Sequence, residues 1–83
     1  MIPETLQQQL AHYGITVTNE VALRGALEER VETYTRIKLA PWPARRCKCR
    51  YRLMMRDDMY DAQSAAEAYA LGLLAALTAP PST

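Results

Sequence analysis

Pro41-Trp42-Pro43 sits near the middle of an 83-residue chain, and no regular helix or central strand can run through it. Each proline lacks an amide hydrogen and biases the residue before it away from helix. The elements therefore form on either side of this stop, within a chain that has room for one domain, 1–83, rather than two. A domain this small removes only about 60–65% of its unfolded-chain surface from water, so a partner subunit, most simply in a homodimer, is a reasonable expectation.

Before the stop, Pro3 suits a first helical turn, Leu6, Leu10 and Tyr13 share one face, and Gly14 is placed to end the helix, which is expected at about 3–13. The β-branched run Ile15, Thr16, Val17 and Thr18 reads as an extended bridge or a short strand, with the Thr18 hydroxyl free to cap the next helix. From Asn19 to about Leu39, the residues Leu23, Leu27, Val31 and Tyr34 recur at helical spacing, and Arg24–Glu28 and Glu32–Arg36 stand four apart as ion pairs. A second helix is expected there, ended by Ala40-Pro41-Trp42-Pro43.

After the stop, Met55, Met59, Ala62, Ala66, Tyr69, Leu73 and Ala76 alternate steps of four and three, the period of one helix face. Ser64-Ala65-Ala66-Glu67 also has the form of a capping box, so a helix could begin afresh at that point. Residues 46–53 alternate cation and apolar side chain in the manner of a strand, yet no Val, Ile or Thr occurs between Arg45 and Leu77, which favours helix. The fold class expected is mainly α, a small three-helix domain with a long alanine-rich C-terminal helix. The alternative is α+β with a basic strand at about 46–54, and residues 79–83 are expected to fray.

Charge is segregated along the chain although it totals +1: residues 1–44 sum to −1, residues 45–56 to +6 with no acid, and the remainder to −4. The small total argues against indiscriminate nucleic-acid or membrane binding, whereas the local excess points to one anionic contact site. As a helix, Arg45, Lys48, Arg52 and Arg56 would line up opposite Cys47, Tyr51 and Met54; as a strand, Arg46, Lys48, Arg50 and Arg52 would form the row. Five of the six cations are arginine, whose planar fork grips phosphate or carboxylate with two bonds. The competing reading is a solvated face paired with the domain's own acids, such as Glu28, Glu29, Glu32, Asp57 or Asp58.

Trp42 either covers the end of a core or anchors an interface beside the arginines. The alanine-rich face from Ala62 to Ala76 serves either an internal core or a dimer seam. Cys47 and Cys49 are too close in sequence for an unstrained bridge and fit a reducing cytosol. With His12 as the only histidine, one chain lacks the four ligands of a structural zinc site; two chains pooling cysteines, or a reactive thiolate among the cations, are weaker readings. His12 itself suits a helix end. Gly14, Gly25 and Gly72 are scattered, so no phosphate-cradling glycine loop exists. No catalytic residue, metal site or cofactor is expected. The apolar run Ala68 to Leu77 is too short for a bilayer and the N-terminus lacks a signal-peptide pattern, so the expected location is cytoplasmic.

The stretch from Tyr60 to Leu77 resembles the alanine-rich C-terminal helix of small orphan proteins of phages and prophages, some of them anti-CRISPR-type inhibitors. That resemblance implies blocking of a host protein by occlusion and carries over no functional residue. The stretch is also similar to the last helix of double-stranded-RNA-binding domains. Those open that helix with lysines where this chain has Asp57, Asp58 and Asp61, and on that departure the similarity is set aside. Two functions are thus expected from the residues: a non-enzymatic binding protein contacting nucleic-acid phosphates through Arg45, Arg46, Lys48, Arg50, Arg52 and Arg56, or an inhibitor or adaptor that sets the same arginines with Trp42 and Tyr51 against an acidic or nucleic-acid-binding protein surface.

Overall fold

The computed structural model describes residues 2–39 and 50–78. Its order is α1 (Glu4–Ala11), α2 (Glu20–Glu28), β1 (Thr35–Lys38), β2 (Tyr51–Met55), β3 (Asp58–Ala62) and α3 (Ala65–Thr78). With 46% of these residues helical and 21% in strands, the fold is α+β, not the mainly α bundle expected from composition.

Helix α1 closes as its sequence dictates. Gly14 takes a φ of 83°, open to glycine at no steric cost, while Gly14 N–H donates to the Ala11 carbonyl and Ile15 N–H to that of Leu10. Residues 15–18 form neither helix nor strand, and the cap of α2 comes one residue later than Thr18: the Asn19 Oδ1 accepts from the Ala22 amide at 2.8 Å.

Helix α2 stops at Glu28, well short of Leu39. Arg30 turns back to donate to the Ala26 carbonyl, one of the groups a helix end leaves open, and Val31 then drops into the core from non-helical backbone. Beyond it, Thr33, Thr35 and Ile37 alternate, and β-branched side chains at period two favour a pleated strand over more helix. The expected Glu32–Arg36 helical pair therefore cannot form. Glu28, instead of pairing with Arg24, accepts the Tyr34 hydroxyl at 2.7 Å; burial first, and this bond second, hold that phenol's pKa well above its ordinary range.

The strands make an antiparallel sheet in the order β1-β2-β3. Residues facing each other are Thr35 and Met54, Ile37 and Arg52, Met59 and Met54, Asp61 and Arg52 on one face, and Arg36 and Leu53, Lys38 and Tyr51, Tyr60 and Leu53 on the other. Leu53, Met55 and Ala62 put the second face into the core. The first face carries Ile37 and Met59, both exposed.

Helix α3 begins at the capping box rather than running on from the proline stop. Ser64 Oγ accepts from the Glu67 amide at 3.1 Å, and the Glu67 carboxylate accepts from the Gln63 amide at 3.4 Å. The helix packs on β2 and β3, on α2 and on α1, which explains why it is apolar on nearly every side. Its small residues are what allow this: a Cβ at Gly72 would collide with Leu53 Cδ2 and lie 3.7 Å from Leu27 Cδ2. Ala62, Ala65, Ala68 and Ala70 are buried in the same core, while Ala66, Ala75 and Ala76 are half-buried.

Gly25, by contrast, lies in the interior of α2 with nothing within 4 Å of where a Cβ would stand. Gly25→Ala is expected to raise stability by about 1 kcal/mol through helix propensity alone. A thermal melt checks this, with a rise of roughly 4–8 °C for a domain of this size.

Candidate functional site

Trp42, Arg45, Arg46, Cys47, Lys48 and Cys49 lie outside the described residues, as does the tail 79–83. The described part of the segment is strand, not helix. Its alternating pattern prevails because each second side chain of β2 is needed for the core.

Arg50, Arg52 and Arg56 do not form one line of free cations. Arg52 lies on the uncovered sheet face and makes two bonds to Asp61 opposite it, Nε to Oδ1 at 2.7 Å and Nη2 to Oδ2 at 3.1 Å. The hydrogen bond to Asp61 raises the pKa of that guanidinium further. Arg52 is thus neutralised within the chain, by an acid of β3 rather than by Asp57, Asp58 or the glutamates of α2.

Arg56 is the first residue of the two-residue β2–β3 loop and takes a φ of 56°, a left-handed conformation that costs a side-chain-bearing residue about 1–2 kcal/mol. Strand rise sets it about 20 Å from Arg50, at the opposite end of β2. Arg56→Gly is expected to raise stability by about 1 kcal/mol. A urea titration with a rightward-shifted midpoint and an unchanged slope is the check.

Tyr51 is half-buried and serves as a platform for a cation not expected at this place. The Arg36 guanidinium stands 5.4 Å from the Tyr51 ring centroid and 5.8 Å from that of Tyr69, and its Nε donates to the Tyr69 hydroxyl at 2.9 Å.

What the sheet does bring together is Lys38 and Arg50. Lys38 faces Tyr51 across the β1–β2 pairing, and the next amide, Leu39 N–H, donates to the Arg50 carbonyl at 2.6 Å. Both cations are exposed, and neither has an ion-pair partner among the described residues. They border a cleft of about 500 Å³ onto which the N-terminal ends of α2 and α3 open through Asn19 and Ser64; Glu20 is the acid in its lining. Helix N-termini add positive potential to the two side-chain charges, although Asn19 and Ser64 already satisfy part of their first-turn amides. Lys38 falls within the span expected for the second helix, whereas the Thr33, Thr35, Ile37 alternation marks the strand on which it stands.

His12 is exposed at the end of α1, edge-on to Tyr13 at 5.3 Å. Among the described residues no three metal-ligating side chains converge, and no helix is long and apolar enough to cross a membrane. No protein-family model, characterised protein or solved structure matches the chain.

Proposed function

We propose that the protein is a non-enzymatic, cytoplasmic binding module that contacts nucleic-acid phosphates at the basic end of its sheet. The observation that carries this reading is the β1–β2 pairing, which sets Lys38 and Arg50 side by side at the two feet of the connection holding Arg45, Arg46 and Lys48. Lys38 and Arg50 border one cleft, and the sequence between them adds Arg45, Arg46 and Lys48, so five cations fall within 38–50 of the chain. That concentration favours a polyanion over a single carboxylate, because each phosphate contact also releases condensed counterions. Arg52 and Arg56 drop out of the contact set, one held by Asp61 and the other at the far end of β2.

Fluorescence anisotropy of labelled duplex DNA and of single-stranded RNA, titrated with the protein at low and at physiological salt, tests the reading. Micromolar or tighter binding that weakens steeply with salt is expected. No binding to either at low salt overturns it.

A further inference from the structure

We propose that the outer edge of β1, which pairs only with β2 among the described residues, is a docking site for an extended acidic peptide segment of a partner protein, added to the sheet as a fourth strand. Because Leu39 N–H bonds to the Arg50 carbonyl, the alternation of an antiparallel ladder turns Leu39, Ile37 and Thr35 toward β2. The amides and carbonyls of Arg36 and Lys38 therefore point away from the sheet, and all four residues of β1 are exposed. An edge strand with outward amides and carbonyls is a template for another strand.

Charge decides which strand. Arg36 and Lys38 lie on the same face of β1, so a second copy of β1 would bring four cations together and is disfavoured. The opposite edge, β3, has no cation of its own and carries Asp58, with Asp61 already held by Arg52, so it offers an acidic segment no counter-charge. On β1 the residues directly opposite Arg36 and Lys38 in the incoming strand would stand two apart and share their face, so acids at that spacing meet both cations. Arg36 is already held in place by the Tyr69 hydroxyl and the Tyr51 ring, and it uses only Nε in doing so, which leaves its terminal nitrogens as donors. The residue between the acids falls beside Ile37, 38% exposed on the other face, where an apolar side chain fits. The edge thus selects the pattern acid, apolar, acid in an extended chain. It shares Lys38 with the phosphate-binding end but differs from it in using main-chain hydrogen bonds.

Backbone amide exchange tests this directly. The ¹⁵N-labelled protein is mixed with a capped peptide of alternating glutamate and valine and, in parallel, with the same peptide N-methylated at alternate residues, which keeps its charge but cannot complete a ladder. Exchange of the Arg36 and Lys38 amides is expected to slow at least tenfold with the first peptide and not with the second, while the Met59 and Asp61 amides on β3 are unchanged. Lys38→Pro, which removes an outward N–H without touching the β1–β2 ladder, should abolish the protection; if that variant fails to fold, Lys38→Glu should weaken peptide affinity at least tenfold. Equal protection by both peptides, protection on β3 instead, or the same protection produced by duplex DNA alone overturns the proposal.

Discussion

Leu53→Ala is expected to cost about 2–5 kcal/mol, which for a domain of this length is a large part of its whole stability. Leu53 is fully buried on the central strand, and its Cδ2 occupies the space left by the missing Cβ of Gly72 on α3. Removing the side chain opens a cavity where the sheet, α3 and Leu27 of α2 meet, a point too constrained on three sides to collapse. Urea unfolding followed by circular dichroism should show the midpoint fall sharply at an unchanged slope. Gly72→Ala alone is expected to destabilise by roughly 1–3 kcal/mol through overpacking, less whatever helix propensity returns. In the double variant the added methyl fills part of the space vacated by Leu53. The two losses should then add to less than their sum by more than the few tenths of a kcal/mol typical of independent sites. Strict additivity, or a Leu53→Ala cost below about 1 kcal/mol, contradicts this account of the core.

How much of this was legible depends on how far each signal reaches along the chain. The end of α1 at Gly14 and the capping box Ser64–Glu67 are decided by residues within one turn, and the sequence displays them openly. The overrun of α2 has an identifiable cause. Val31 and Tyr34 follow Leu27 at steps of four and three, as a helix face would, but Val31 reaches the core from outside the helix and Tyr34 reaches Glu28 across a turn. Two short-range patterns competed there, and the β-branched alternation that followed was outweighed by the longer apolar period. For β2 the alternation of charged and apolar residues was the sound signal and the helix-forming composition the misleading one, because cross-strand packing overrides intrinsic propensity. The hairpin loop gave no help, since Arg56-Asp57 lacks the glycine or asparagine that usually marks such a turn.

The candidate site was the least legible part, for a physical reason. Which cations are neutralised and which are free is set by strand register, a non-local property. Arg52 is paired because β3 places Asp61 opposite it, and Lys38 stands beside Arg50 because β1 folds back on β2. Neither follows from spacing along the chain. The arginine-rich composition marks a stretch of unusual charge, and in its described part the register pairs Arg52 with Asp61 while Arg50 has no ion-pair partner among the described residues.

The double variant Lys38→Glu/Arg50→Glu is expected to reduce duplex-DNA affinity by about a hundredfold or more at moderate salt. Two charge-assisted contacts of about 1.5–3 kcal/mol each are lost, and every 1.4 kcal/mol is a factor of ten. The slope of log affinity against log salt should also flatten by about two, since each phosphate contact contributes about 0.9. The fold should persist, because both side chains are exposed and neither pairs within the described chain. A thermal melt close to that of the parent protein verifies this. Arg52→Ala supplies the contrast: its guanidinium is already held by Asp61, so its removal should leave affinity and salt slope nearly unchanged. Were the contact surface the strand's arginine row rather than the basic end, the order would invert, with Arg52→Ala weakening binding and the Lys38/Arg50 variant tolerated. Measuring both proteins at three salt concentrations separates the two surfaces by the rank of their effects, independently of the absolute affinity.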